Sequence, residues 1–375
     1  MKNIALASSA LALMSTTALA GGLDRNGQPI GIIFEKGTYA EFSLAHTSPT
    51  LNGTDLAAFG GRSTGDVANS FVSLGAGYKT DFNDKLSFAL IYDQPWGVDV
   101  EYPTGSSVAL GGTSAEANSD ALTALLRYKL NDRFSVHGGL RYQQIDGEIT
   151  LSGAAYGPFS GYNVKVNNDG AFGWSVGGAY EIPEIALRLA VTYNSEIEHN
   201  FDLNEALPAA LGGATADTNF KTKTPQTVNV DFQTGIADDT LLLAGVRWAQ
   251  HSKTKLAPTA INGFGTPVDL VNLDDTITYT IGVGRRFNEN WSGSLSYIYE
   301  SGGDDDLVSP LAPTNGMRAI RLGVQYQQDK FKIAAGLRYT MLGDARAETG
   351  TPDTARAVFD DSKAVSFGFK VGYYF

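Results

Sequence analysis

The chain has 375 residues, 40 of them acidic and 28 basic, for a formal charge of -12, and it contains no cysteine. So large an excess of negative charge opposes nucleic-acid binding, whose affinity rests on neutralising phosphates, and the lack of cysteine removes both a disulfide framework and a thiolate metal site. With 43 glycines, 17 tyrosines and 19 phenylalanines at a mean hydropathy of -0.12, apolar side chains are spread thinly along the chain instead of gathered into helical spans, as suits a membrane β-barrel.

Residues 1–20 combine Lys2, an apolar stretch from Ile4 to Met14 and the small-residue exit Ala18-Leu19-Ala20. That is the anatomy of a cleaved secretory signal, so the mature chain is expected to begin near Gly21. The stretch is too short to span a bilayer as a helix, and no later run of about 18 apolar residues occurs. Residues 21–36 then carry the apolar cluster Ile30, Ile32, Ile33 and Phe34 with no hairpin partner. On a periplasmic tail such a cluster must bury, and the nearest dry space is a barrel interior. The segment is therefore read as a lumenal plug, an extended first strand being the other reading.

Residues 37–375 read as the barrel itself. Six short turn signals, Phe82–Lys85, Asn131–Arg133, Ile182–Glu184, Ala237–Asp239, Asn288–Asn290 and Gln328–Lys330, alternate with seven longer Gly/Ala/Ser/Asp-rich segments near 47–68, 103–118, 151–167, 201–221, 256–273, 301–314 and 342–361. Six turns and seven loops imply fourteen antiparallel strands, with turns facing the periplasm and loops facing outside. Strand faces agree: Phe331, Ile333, Ala335, Leu337 and Tyr339 alternate with Lys332, Ala334, Gly336 and Arg338. A lysine or arginine facing lipid at mid-depth costs roughly 2–4 kcal/mol, so the charged face is the lumenal one. A secreted β-sandwich also alternates, but its strands average about five or six residues, and Leu86–Tyr102 and Phe134–Ile149 stay strand-like for longer.

Within this pattern the third strand is irregular at Asp93-Gln94-Pro95-Trp96-Gly97. Pro95 cannot donate to a ladder and every strand of a closed barrel is interior, so a bend and a side opening are expected there, with Gly97 permitting the bend and Trp96 at the rim. Loops three and four are unusually apolar, with Leu151, Tyr156 and Phe159 in one and Leu203, Leu207 and Leu211 in the other. Such patches mark binding surfaces or pack on one another; Tyr156, Phe159, Leu207 and Leu211 are the expected ligand contacts. A fatty-acid carboxylate in the lumen would need a cation, for which Arg141, Arg247, Arg321 and Arg338 are the inward candidates by alternation. Gly302–Asp306 is read as a solvated acidic loop and no metal ligand is assigned. The chain ends on an aromatic strand with Phe367, Phe369, Val371, Tyr373 and Phe375 on one face.

Taken in order, several stretches resemble the FadL family of outer-membrane transporters for long-chain fatty acids and other hydrophobic compounds. They are Val72–Tyr78, the Phe82–Lys85 turn, Pro95–Val98, Tyr128–Ser135, Thr224-Pro225-Gln226, Trp248, Asn288–Trp291, Pro313–Arg318 and the final strand. The resemblance implies a fourteen-stranded barrel in the outer membrane of a Gram-negative bacterium, an amino-terminal hatch, capture by external loops, an apolar lumenal site and lateral exit at a kinked third strand. It implies as partners a long-chain fatty acid or other hydrophobic small molecule, outer-membrane lipid and lipopolysaccharide, and the barrel-assembly machinery during biogenesis, with no cofactor. The hatch departs from the family: Asp24-Arg25-Asn26-Gly27-Gln28 stands where an Asn-Pro-Ala element is often found.

Two other functions compete. A water-filled general porin would have a polar lumen and no plug, against which Leu125 and Leu243 fall on the lumenal side. An outer-membrane hydrolase would need a nucleophile, a base and an orienting group together, whereas His46, His137, His199 and His251 fall on separate strands or strand ends.

Overall fold

The computed structural model describes residues 23–263, 269–271, 273–303, 305–350 and 352–375; the expected signal at 1–20 lies outside them. Fourteen antiparallel strands close into one barrel. They are β1 Tyr39–Thr50, β2 Phe71–Asp81, β3 in two pieces, Leu86–Asp93 and Gly97–Glu101, β4 Ser114–Lys129, β5 Phe134–Leu151, β6 Tyr162–Ile182, β7 as Leu187–Asn194 and Ile197–Ala206, and β8 as Thr215–Thr224 and Thr227–Ala237. The rest are β9 Thr240–Ala249, β10 Thr276–Arg286, β11 Trp291–Glu300, β12 Met317–Gln328, β13 Phe331–Leu342 and β14 Lys363–Tyr374. The barrel closes where β1 pairs β14 from Tyr39↔Tyr374 to Thr50↔Lys363.

Alternation does what the sequence pattern requires. Along β14, Val365, Phe367 and Phe369 face outward while Ser366 is fully buried in the lumen; along β13, Leu337 and Tyr339 face out and Arg338 faces in. Each of the six short turns falls between an even strand and the next odd one.

The external side differs from the sequence reading in one respect. The start of β4 and the wall from β6 to β8 extend into the expected loops, so loop three is only 152–161 and loop four 207–214. Leu151 and Leu203, taken as loop residues, are wall residues buried on the lumenal face. Period two persists there, but the outward partners of Leu203 are Asp202 and Asn204, which suit water and not lipid. A stretch of wall standing clear of the membrane thus has the composition of a loop.

Above the barrel, loops one, six and seven combine into a five-stranded sheet in the order Leu307–Val308, Ala345–Thr349, Thr354–Phe359, Asn52–Asp55 and Ser63–Asp66. Loop five is held by Glu205 of β7, whose carboxylate accepts hydrogen bonds from the Tyr162 hydroxyl (2.7 Å) and the Ala260 and Ile261 backbone N–H groups (3.0 and 3.3 Å). One apolar cluster fills the outer half of the lumen, including Val98, Ile149, Tyr162, Phe201, Ile261 and Phe359. A second, of Ile30, Ile32, Ile33, Tyr39, Ala89, Ile91 and Leu125, fills part of the inner half.

Candidate functional site

The ladder between β2 and β3 runs from Asp81↔Ser87 to Ala76↔Tyr92 and stops. Beyond it lies Gln94-Pro95-Trp96, and contact resumes only at an isolated bridge, Ala68↔Val100. The Gln94 side chain covers part of the break, its Oε1 accepting from the Leu74 N–H at 2.9 Å. The amino-terminal segment covers more of it from inside. Asp24 bridges Trp96 in antiparallel fashion, the Arg25 N–H donates to the Pro95 carbonyl at 2.7 Å, and the Gly97 N–H donates to the Leu23 carbonyl at 2.8 Å. The Arg25 guanidinium lies 4.5 Å from the centroid of Phe71 on β2 and reaches Asn118 Oδ1 at 3.4 Å.

Two expectations about the break change. Gly97 does not adopt a positive φ; its lack of a side chain instead leaves room for the Arg25 guanidinium, which a Cβ there would meet. Trp96 does not stand at the rim but faces the lumen, 3% exposed, between His251 and Arg247. The reason is the register: on its other side Trp96 is fixed to β4 by Ser119, whose Oγ accepts from the Trp96 N–H (2.8 Å) and donates to the Trp96 carbonyl (2.7 Å).

After Arg25 the segment reverses at Gly27 and Gln28, both at positive φ, and the Gly27 carbonyl accepts from Asn229 Nδ2 (3.0 Å) and Arg247 Nη1 (3.1 Å). It then descends to the turn Gly31–Phe34, where Ile30, Ile32 and Ile33 are buried. Phe34 lies between the guanidinium groups of Arg127 and Arg188, at 4.6 and 4.5 Å. Glu35 anchors the end, accepting from Lys332 Nζ and the Tyr374 hydroxyl, both at 2.7 Å.

An apolar pocket of about 120 Å³ lies behind the break, lined by Leu23, Trp96, Val98, Ala115, Ile145, Ile149, Val166, Phe201 and Leu256 among others. A second cavity, about 580 Å³, lies between the amino-terminal segment and the β7–β13 wall; its lining mixes charged residues such as Glu35, Arg188, Asp231, Arg321 and Arg338 with apolar ones such as Ile30, Phe34, Leu187 and Leu243. The lumen thus holds a smaller, almost wholly apolar pocket beside the break and a larger cavity of mixed lining toward the periplasm.

All four candidate arginines face the lumen, but not one common site. Arg141 Nη2 donates to both oxygens of Asp93 at 2.8 and 2.9 Å. Arg247 Nε donates to Asp24 Oδ2 at 2.5 Å, so it holds the amino-terminal segment. Arg321 and Arg338 both line the polar cavity, with Arg338 Nη2 2.9 Å from Met317 Sδ. Tyr156 and Phe159 fall in the turn Ala154–Phe159 and Leu211 in Ala209–Leu211. These two turns touch each other, and Tyr156, Phe159 and Leu207 also pack on the outer apolar cluster; Leu211 is half-buried. The histidines stay apart: His46 on β1, His137 bonded to Thr192 (2.9 Å), His199 bonded to Asp169 (2.9 Å) and His251 beside Trp96.

Sequence reasoning missed Asp24, Arg25 and His251. A signal for the first two existed: opposite charges adjacent in a segment expected inside the barrel cannot be left without partners. Nothing in the sequence singles out His251.

The family model described as outer membrane protein transport protein (OMPP1/FadL/TodX) matches residues 33–375. Among solved structures, a FadL homologue from Pseudomonas aeruginosa superposes with a TM-score of 0.73 at 15% identity, covering 96% of this chain and 97% of that one. The P. putida toluene transporter TodX gives 0.66 at 13% identity over 92% of each chain, and the Ralstonia pickettii toluene transporter TbuX gives 0.63 at 12% identity over 96% of each. No curated protein matches the sequence.

Proposed function

Because the chain belongs to the OMPP1/FadL/TodX family of outer membrane transport proteins, and so is an outer-membrane barrel of a family that transports hydrophobic compounds, we propose that it passively admits compact apolar molecules through the pocket beside Trp96 and releases them sideways at the β3 break. The observation that carries this reading is the position of the pocket, directly behind the interrupted ladder. Its volume, about 120 Å³, suits a single ring, since an engineered apolar cavity of about 150 Å³ takes up benzene. An extended fatty-acid chain would have to reach beyond it. Two of the structures that this barrel resembles are toluene transporters.

Energetics favour the sideways exit. A molecule moving toward the periplasm would pass the charged groups of the larger cavity and emerge into water, whereas lipid recovers about 0.8 kcal/mol for each methylene transferred out of water. Capture is assigned to loops three and four, where Tyr156, Phe159, Leu207 and Leu211 offer apolar surface at the barrel mouth.

Uptake of labelled toluene and labelled oleate by cells whose own hydrophobe channels are deleted tests the reading. Saturable toluene uptake above the empty-vector level, exceeding that of oleate, is expected. Uptake of neither above the vector level would refute it.

A further inference from the structure

The outer surface of the barrel carries two cations at the upper end of its apolar face. On β12, Ile320, Leu322 and Val324 face outward in one file, and on β14 so do Val365, Phe367 and Phe369. The next outward residue toward the external loops is Arg318 in the first file and Lys363 in the second, and both are exposed. Register sets them side by side: Arg318 pairs with Met341 of β13, and Met341 pairs with Lys363. Two strand spacings, about 10 Å, separate them. Met341 between them and Tyr339 below it are exposed as well. Among the described residues neither cation has a carboxylate within ion-pairing distance. Exposed cations nearer the loops, by contrast, are matched: Lys221 with Glu198, Lys223 with Glu196 and Lys255 with Asp269.

Where other outward files end, the next residue is neutral or acidic: Asp120 on β4, Gln144 on β5, Gln226 within β8 and Gln250 after β9. The positive charge at this border is therefore placed on the β12–β14 face. A residue at the end of such a file stands where hydrocarbon gives way to headgroups. Whatever lipid lies there must set apolar chains against the files and an anion beside the cations. In the outer leaflet of an outer membrane that lipid is lipopolysaccharide, whose lipid A carries phosphates above its acyl chains. We propose that Arg318 and Lys363 form a binding site for the phosphates of one lipid A molecule, whose acyl chains lie along the files below them. Arg318 offers a planar fork to phosphate oxygens and Lys363 a point charge. The site requires only the outer-membrane location and is independent of which solute the lumen carries.

Native mass spectrometry of the purified full-length protein in detergent, titrated with lipid A, reads the site directly. Bisphosphorylated lipid A should bind, and Arg318→Gln combined with Lys363→Gln should weaken it about tenfold. Lys165→Gln should not, since Lys165 is exposed on the part of β6 that faces Glu148 of β5 and stands in water. Both target side chains are exposed, so the double variant should keep the heat resistance of the barrel. The exchange Arg318→Lys with Lys363→Arg, which preserves charge, should retain binding. Dephosphorylated lipid A bound as tightly as the bisphosphorylated form, or a double variant that binds like the wild type, would overturn the site. Equal binding of phosphatidylglycerol would overturn it too, by showing a general attraction for anionic lipid. So would full competition by millimolar inorganic phosphate, which would make it a site for the free ion.

Discussion

Arg25 and Gly97 compete for one volume: a Cβ on Gly97 would lie 2.3 Å from Cζ of Arg25. The guanidinium therefore stands where any other residue at 97 would place its side chain. Gly97→Ala is expected to displace Arg25 from Phe71 and Asn118 and to uncover the break, raising toluene uptake severalfold. The backbone tolerates alanine, so stability should fall by only about 1 kcal/mol. Unchanged uptake, with Arg25 shown crystallographically to have moved, would mean that Arg25 does not obstruct the route.

Straightening β3 is the opposite experiment. Pro95→Thr combined with Gly97→Thr restores a donor and β-branched side chains, and Asp93 is kept because Arg141 depends on it. Toluene uptake should drop about tenfold while the barrel remains resistant to heat in detergent. Full uptake by a variant whose structure shows a continuous β2–β3 ladder would exclude the lateral route.

Arg141 and Asp93 are both almost wholly buried. Removing one partner of such a pair leaves a buried charge and costs about 3–5 kcal/mol. Arg141→Ala should therefore lower the unfolding midpoint without altering ligand affinity in the folded fraction, and adding Asp93→Ala should recover part of the loss. A drop in oleate or toluene affinity with no change in stability would make Arg141 a ligand anchor instead.

Replacing Tyr156, Phe159, Leu207 and Leu211 together with serine removes apolar surface at the mouth, where burial contributes about 25 cal/mol per Å². Uptake should weaken at low ligand concentration and recover at high concentration. An unshifted concentration dependence in a folded variant would remove the loops from capture.

Asp306 and Arg346 tie loop six to loop seven, Arg346 Nε donating to Asp306 Oδ2 at 2.7 Å. That hydrogen bond holds the Asp306 carboxyl below its ordinary 3.8. A depressed carboxyl stabilises the folded form above its unfolded value, and that contribution is lost as pH falls through the folded value. The tie is exposed and so weak. Protease cleavage within 343–362 should stay constant down to about pH 4 and rise only in stronger acid, whereas Asp306→Asn should show the raised rate at neutral pH.

The strand count, the turns and the facing of residues such as Arg338 and Phe367 were legible because side-chain alternation is local and lipid punishes an outward charge. Pro95 marked the break because a missing N–H is a property of one residue. What fills the break was not legible: Arg25 and Gly97 are far apart in sequence, and their fit exists only once the chain has closed on itself. Trp96 was misplaced for a related reason, since its direction is set by Ser119 on the next strand. The ends of β7 and β8 were hidden because wall that stands in water carries polar side chains outward.

The external sheet joins Gly53 of loop one to Phe359 of loop seven, directly above the β1–β14 pairing that completes the ring. The zipper that shuts the cylinder therefore does not end at the membrane surface but runs on into the loops. Like a clasp above a seam, these pairs resist peeling from the top, where fraying would otherwise start. A cut through loop seven would thus be felt as easier separation of the first strand from the last.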